Sequence, residues 1–155
     1  MRHSVTICGG FLALAMALQV TGCTGDGQPT LLPNADPALR RTSTELAADS
    51  AKRSYPATAP KDSKAIARAD YNLMDRKFNL ANLSDTDWKN VEVWVNQAYV
   101  LSVPNFPKNS DEALNFELFY DQYGHHFQTN GGKNPVQSLQ IYRAGKMYDV
   151  VATLE

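Results

Sequence analysis

The sequence predicts an all-β protein, a single antiparallel β-sandwich behind a signal peptide and a disordered tether. Thirteen of the fifteen aromatic residues lie between residues 71 and 148. Apolar residues there recur at every second position, and turn-forming residues recur about every 8–12 positions, as in sandwiches and barrels. Five of the eight prolines lie upstream of this part. We therefore divide the chain into a leader (1–22), a flexible linker rich in Pro, Ser and Ala (23–62) and the β domain (63–155).

The N-terminal segment has the pattern of a leader. Arg2 gives a positive start, and residues 7–18 are apolar apart from two glycines. A membrane-spanning helix needs about 20 apolar residues, whereas about 10–14 suit the core of a signal peptide. The small residues Thr21 and Gly22 then precede Cys23. An ordinary secretory signal cleaved nearby, or an uncleaved N-terminal anchor, are the alternative interpretations.

The stretch Val20-Thr21-Gly22-Cys23 resembles the lipobox of the type II signal peptide of bacterial lipoproteins. The resemblance implies that the Cys23 thiol receives a diacylglycerol, that cleavage follows Gly22, and that the new amino group can take a further acyl chain such as palmitate. Each buried CH₂ contributes about 0.8 kcal/mol, so two or three chains hold a protein at a membrane. Thr24 stands where an Asp would indicate the inner membrane, which favours the outer membrane of the bacterial cell envelope.

Charge and cysteine content exclude several classes of protein. The net charge is −1, with 15 basic and 16 acidic residues spread evenly, which does not suit a nucleic-acid partner. The two cysteines are Cys8, inside the leader, and Cys23, the proposed lipid site. The β domain therefore has no thiol for a disulfide, a nucleophile or a thiolate metal site. We expect no cofactor.

Residues 24–61 have too few large apolar side chains to offset the entropy of ordering, so we expect a flexible linker. Thr42 and Glu45 form a capping-box pattern ahead of Leu46. We expect that helix to be frayed, because the linker offers no second apolar face.

Alternation predicts the strands of the β domain in order. Ile66 to Leu73 is a first strand, and Phe78, Leu80 and Leu83 mark a second. Val91, Val93 and Val95 alternate with polar residues and Trp94, and the turn 96–98 leads into Tyr99, Leu101 and Val103. Pro104 and Pro107 are expected to end that strand, because proline cannot donate a ladder hydrogen bond.

The remaining strands follow the same rule. Leu114, Phe116 and Leu118 mark a strand, the hairpin 121–124 places Gly124 at positive φ, and residues 126–128 return. A second hairpin signal lies at 143–146, before the alternating residues Tyr148 to Leu154. Seven or eight strands of this length predict an immunoglobulin- or fibronectin-like sandwich.

One series of residues comprises Asn82-Leu83-Ser84, Trp88, Asn90-Val91, Val93 and Val95-Asn96, followed by Phe119, Asp121, Gly124 and Phe127. This series is similar to a pattern in small bacterial envelope proteins. Their sandwich domains carry Asn-x-Ser, then Trp-x-Asn-Val-x-Val-x-Val-Asn, then Phe-x-Asp-x-x-Gly-x-x-Phe. The resemblance covers about residues 78–141. It implies the fold and transfers no catalytic residue.

His125, His126 and Asp121 are the candidates for a metal site or proton transfer. Adjacent residues of a strand point to opposite faces, and zinc needs three or four ligands, while His3 lies in the leader. We therefore favour ordinary polar positions beside a hairpin, and expect no metal. The sequence contains neither a Gly-x-Ser-x-Gly nucleophile elbow nor a phosphate-binding glycine loop.

Trp94 lies on the face of its strand opposite the three valines. If that face is exposed, Trp94 with Tyr120, Tyr123 and Phe127 offers a surface for a sugar ring or a partner protein. If it is covered, these rings are packing, which is the interpretation we favour.

These patterns lead us to expect a membrane-anchored envelope lipoprotein that presents a non-catalytic β-sandwich for binding or structural support. An envelope protein or a glycan is the expected partner. One alternative is an accessory subunit of an envelope complex, joined through an exposed strand edge. The other is a metal-binding or hydrolytic domain that uses His125, His126 and Asp121.

Overall fold

The computed structural model describes residues 41–62 and 67–154, and strands predominate in them, which confirms the all-β class. Two short 3₁₀ helices, Phe116–Leu118 and Asn130–Gly132, interrupt the later part. The regular elements are α1 (Ser43–Ser50), β1 (Lys61–Asp62), β2 (Ala67–Asn72), β3 (Lys77–Asn82), β4 (Trp88–Val95), β5 (Tyr99–Phe106), β6 (Ser110–Asn115), β7 (Leu139–Arg143), β8 (Lys146–Asp149) and β9 (Val151–Leu154).

The strands form two sheets with the orders β1-β8-β7-β4-β5 and β6-β3-β2-β9. β1 runs parallel to β8 and β2 runs parallel to β9, whereas the other pairs are antiparallel. The sheets are therefore mixed, and the expectation of a purely antiparallel arrangement is wrong. The chain crosses from one sheet to the other at Val150, between β8 and β9.

One hydrophobic core lies between the two sheets. The valines at 91, 93 and 95 of β4 are fully buried, as the alternation predicted, and they share a cluster with Phe78 and Leu80 of β3. Burying each such side chain contributes about 1.5–3 kcal/mol, so this cluster is the main source of stability. Leu83, expected to continue the second strand, lies beyond β3 and is exposed.

The capping box predicted at the start of helix α1 is present. The hydroxyl of Thr42 accepts a hydrogen bond from the Glu45 amide, and the Glu45 carboxylate accepts one from the Thr42 amide. Leu46 is 2% exposed and belongs to the main core. The expectation of a frayed helix is wrong, because the β domain supplies the apolar surface that the linker lacks. No helix among the described residues has the length and apolarity needed to cross a membrane.

We call residues 41–60 the N-terminal strap, because they run across the outer face and the free edge of the five-stranded sheet. The Ser50 hydroxyl donates to the Val100 carbonyl at 3.1 Å, and the Arg41 guanidinium donates to the Ser102 carbonyl at 2.8 Å. These bonds cover the outer edge of β5, a position where an exposed strand invites aggregation. The strap and β1 thus belong to the packed domain and not to the linker expected over 23–62, while residues 23–40 lie outside the described part.

Pro104 does not end its strand as expected. It lies inside β5, between Val103 and Asn105, which pair with Val91 and Lys89 of β4. β5 is the last strand of its sheet, so the missing N–H costs no ladder bond on the paired side.

The strand expected through Phe116 and Leu118 ends at Asn115. Phe116–Leu118 instead form a 3₁₀ turn. Leu118 and Phe119 are both buried. Two consecutive residues of a strand point to opposite faces, so a turn is needed to bury both in one core.

The expected hairpin turns are present. Gly124 has φ +86, and the turn 143–146 places Ala144 at φ +48 and Gly145 at φ +77. Consecutive positive φ values give the twist that two-residue hairpins require. Asn96 and Gln97, at the tip of the β4–β5 hairpin, also have positive φ.

Candidate functional site

The structure buries three of the four aromatic residues considered for a surface. Trp94 is 2% exposed, Tyr120 is 6% exposed and Phe127 is fully buried, whereas Tyr123 is 76% exposed. Phe127 packs edge-on against the rings of Tyr99 and Phe116 in the main core. Packing is therefore the role of Trp94, Tyr120 and Phe127, and Tyr123 alone of the four presents its ring to solvent.

Trp94 is buried because the strap covers the outer face of its sheet. Its indole lies 5.4 Å from the ring of Tyr55, edge to face, and forms a second small cluster with Val100 and Met147. The indole N–H donates to the Glu92 carboxylate at 3.0 Å. Strand β4 is thus covered on both faces, by the core on one side and by the strap on the other.

An ion-pair network fixes the strap in this position. The Arg53 guanidinium donates to Glu92 at 2.6 Å and to Asp49 at 3.0 Å, and Arg41 donates to Asp49 at 3.1 Å. Burial raises the pKa of Asp49, but the hydrogen bonds and charges of Arg53 and Arg41 outweigh it, so the pKa lies below its usual value. Burial lowers the pKa of Arg53, and Asp49 and Glu92 together raise it above its usual value. All four charges are therefore engaged with one another.

The hairpin 121–124 is organised by the Asp121 carboxylate. One oxygen accepts from the Tyr123 amide at 2.9 Å and from the His125 amide at 2.8 Å. The other lies 3.2 Å from Nδ1 of His125. Burial raises the pKa of Asp121, but these hydrogen bonds outweigh it, and the pKa lies below its usual value. The carboxylate thus holds the backbone that carries Tyr123.

The three residues considered for a metal site do not lie together. Asp121 contacts His125, but Nε2 of His126 lies 2.8 Å from the Gln128 amide, and the His126 ring packs against Tyr120. No group of three or more His, Cys, Asp or Glu side chains lies together in ranges 41–62 and 67–154. The structure therefore brings together Asp121 and His125 and directs His126 elsewhere.

An open cleft of about 280 Å³ lies beside this hairpin. Its walls come from three separate segments: the strap from Ser50 to Tyr55, the residues 97–100 after β4, and the residues 121–123 of the hairpin. The edge of Trp94 forms part of the floor. The hairpin also lies near α1, since a Cβ atom at Gly124 would lie 3.8 Å from the Ala47 methyl group. Two of the four aromatic candidates, Trp94 and Tyr123, thus line one cleft.

The polar groups of the cleft fall into two sets. Arg53 is charged and ion-paired with Asp49 and Glu92, while the Asp121 carboxylate accepts two backbone amides and contacts His125. Gln97, Gln122 and Ser54 are neutral and exposed, and their side chains make no hydrogen bond within the described part of the chain. The arrangement can bind a polar molecule, because uncommitted amides and hydroxyls are available at its rim.

Sequence reasoning missed the strap as a wall of this site. Arg53 and Tyr55 lie in a segment whose composition predicts a linker, and Gln97 and Gln122 lie in turns. The signal that marks the strap is Tyr55, one of only two aromatic residues upstream of residue 71. A large aromatic side chain in an otherwise small and polar segment indicates a docking position.

No protein family, no curated protein and no solved structure matches this chain significantly.

Proposed function

We propose that this chain is a lipid-anchored protein of the bacterial cell envelope whose β domain binds a ligand or partner and has no catalytic role. Cys23 carries the lipid after cleavage behind Gly22, and Thr24 favours the outer membrane. The anchor is supported by the positive start, the apolar run and the lipobox together. Residues 24–40 can span at most about 60 Å, so Arg41, the first residue that the structure describes, lies within about 60 Å of the anchor.

The cleft between the strap and the hairpin 121–124 is the observation that carries the binding role. It places an exposed aromatic ring beside uncommitted neutral polar groups, the usual composition of a ligand site. Its charged residues, Arg53 and Asp121, are held by partners in the fold, which favours a structural role for them over proton transfer. The catalytic alternative loses support because His126 is directed away from Asp121.

We further propose that the fold is an immunoglobulin- or fibronectin-like sandwich. In such folds strands A, B and E lie in one sheet, and C, F and G lie in the other. β2, β3 and β6 correspond to A, B and E, while β4, β7 and β8 correspond to C, F and G, in the same spatial order. Trp88 in β4 is buried in the core, as is the tryptophan of strand C in antibody domains. The strap and the parallel strand β9 are additions to that plan.

The anchor is tested by Cys23→Ser in the full chain, followed by membrane fractionation and mass spectrometry of the mature N-terminus. We expect the variant to leave the membrane fraction or to remain an unprocessed precursor. Cys8→Ser is the matched control, because Cys8 lies within the leader, and it should fractionate like the wild type. Retention of Cys23→Ser in the membrane with a normal mature mass would refute the anchor.

The binding role is tested by a photo-crosslinking amino acid placed at position 123 in intact cells. The control position is 74, since Met74 is 91% exposed and lies at the β2–β3 turn, away from the cleft. We expect adducts at position 123 that are absent at position 74. Equal labelling at both positions, or none at either, would argue against a binding site at the cleft.

A second candidate function is an accessory subunit of an envelope complex. β9 is the last strand of its sheet, and its Val151 and Leu154 are 65% and 54% exposed. An uncharged free edge of this kind can pair with a strand of a partner. Cross-linking from position 153, on this edge, distinguishes the two: a single stoichiometric protein adduct there favours the subunit.

A further inference from the structure

We infer that the cleft receives one pyranose ring of a neutral glycan, which stacks on Tyr123 and bonds to Gln97, Gln122 and Ser54. This rests on the proposed binding role, because it names the ligand class of the same site. Three features of the cleft argue for it, namely its charge balance, its uncommitted polar groups and its single exposed ring.

The charge balance argues against a charged ligand. Arg53 bonds to Asp49 and Glu92, and Asp121 bonds to His125 and two backbone amides. A bound phosphate or carboxylate would have to compete with these existing partners for Arg53. A bound cation would meet an Asp121 carboxylate whose oxygens are already occupied. The charged groups of the cleft are therefore already engaged by partners in the fold, and an ionic ligand group would be desolvated at a cost.

The uncommitted groups suit hydroxyl-bearing ligands. A glutamine amide offers two donors and an acceptor, and a serine hydroxyl both donates and accepts. Gln97, Gln122 and Ser54 belong to three different segments: the turn after β4, the hairpin and the strap. Because a sugar carries several hydroxyls around its rim, and each can donate and accept, it can bond to all three walls at once.

The exposed ring suits the apolar face of a sugar. Tyr123 is 76% exposed, yet its backbone is fixed by Asp121 and by the positive φ of Gly124. Its side chain lies against the His125 ring, with centroids 6.4 Å apart. A tyrosine side chain has only two χ angles, so it binds with little loss of side-chain entropy. The C–H face of a pyranose stacks on such a ring, while its hydroxyls remain at the edge.

The size of the cleft sets the number of sugar units. About 280 Å³ lies just below the range of about 300–1,000 Å³ typical of pockets for larger ligands. One ring fills it. Since the cleft is open, the neighbouring units of a longer glycan can extend into solvent.

The test is calorimetric titration of the full chain in detergent with three neutral tetrasaccharides: N-acetylated chitotetraose, cellotetraose and maltotetraose. Deacetylated chitotetraose and tetragalacturonic acid are the cationic and anionic comparison probes. We expect at least one neutral probe to bind, and to bind more tightly than either charged probe. Tyr123→Ala should weaken that binding roughly tenfold, as loss of one stacked ring predicts, while Tyr123→Phe should stay within about threefold.

Gln122→Ala should weaken binding roughly three- to tenfold, the effect of one hydrogen bond. Gln137→Ala is its matched control, because Gln137 is an exposed glutamine outside the cleft, and it should have no effect. The inference is overturned if no neutral probe binds, if Tyr123→Ala leaves binding unchanged, or if a charged probe binds most tightly. A protein adduct from position 123 combined with no glycan binding would overturn the glycan and leave the binding role standing.

Discussion

The hydroxyl of Tyr55 donates a 2.8 Å hydrogen bond to Oε1 of Gln140, although 85 positions separate them in the sequence. Gln140 is 2% exposed, and its amide nitrogen donates to Asp149 at 2.6 Å. One buried glutamine of β7 thus connects the strap to the residue that ends β8. Both ends of its amide are satisfied, as buried polar groups require.

Tyr55→Phe should destabilise the protein by about 1–3 kcal/mol, because it leaves the buried Gln140 carbonyl without its donor. Urea unfolding of the full chain measures the effect. The control is Tyr142→Phe. Tyr142 packs against the same small cluster, but its hydroxyl makes no hydrogen bond within the described residues. If the two variants lose the same stability, the Tyr55 hydroxyl has no special role.

Leu46→Ala should cost about 2–5 kcal/mol, because Leu46 is a buried core residue contributed by the strap. The measurement is the free energy of unfolding, with Leu83→Ala as the control at a half-exposed leucine outside the core. The control should change stability by less than about 0.5 kcal/mol. A Leu46→Ala variant as stable as the wild type would mean that the strap is not part of the cooperative fold.

Asn82→Asp should be strongly destabilising at neutral pH. The Asn82 amide nitrogen donates to the carbonyls of Thr86, Phe106 and Pro107, and its oxygen accepts from the backbone and side chain of Ser84. An aspartate would direct a buried carboxylate oxygen at three carbonyls, and we expect a loss of at least about 3 kcal/mol.

Asn72→Asp is the matched control for that substitution. Among the described residues the Asn72 side chain only accepts hydrogen bonds, from the amides of Met74 and Asp75, and a carboxylate can accept both. Thermal unfolding at pH 7 should therefore separate the two variants clearly. Similar melting temperatures for both would show that the Asn82 donors contribute little.

Asp49→Asn should destabilise the protein at pH 7, and this cost should fade toward pH 3. The pKa of Asp49 is depressed in the folded state, so its ion pairs contribute stability above the usual pKa of about 3.9 and lose it as the pH falls through the folded value. Urea unfolding at both pH values measures the difference. Asp85→Asn, at an exposed turn position, is the control and should show the same small change at both. A cost for Asp49→Asn that grows on acidification would contradict the sign.

Local rules predicted the parts of the fold that depend on neighbouring residues. The valines of β4 alternate into the core, the capping box of Thr42 and Glu45 is present, and Gly124 has the expected positive φ. Each of these is decided within a few positions of the chain. They required no knowledge of what lies across the sheet.

The strap could not be predicted in this way. Whether Ser50 and Tyr55 are covered depends on Val100, Trp94 and Gln140, which lie 39 to 85 positions downstream and offer no local signal. The cleft could not be predicted from local sequence either, because its three walls come from segments that lie far apart in the chain. Trp94 is buried because the strap covers it, so the alternation of β4 alone cannot decide whether Trp94 is exposed.

The contacts of the strap impose an order on the folding of this chain. Synthesis delivers residues 41–60 before all of their partners, and the partners in β7 and β8 follow those in β4 and β5. Until about residue 149 has emerged, the bonds from Tyr55 to Gln140 and from Gln140 to Asp149 cannot both form, and contacts of such long sequence separation form slowly. The strap is therefore fixed at Tyr55 only after β7 and β8 have been made.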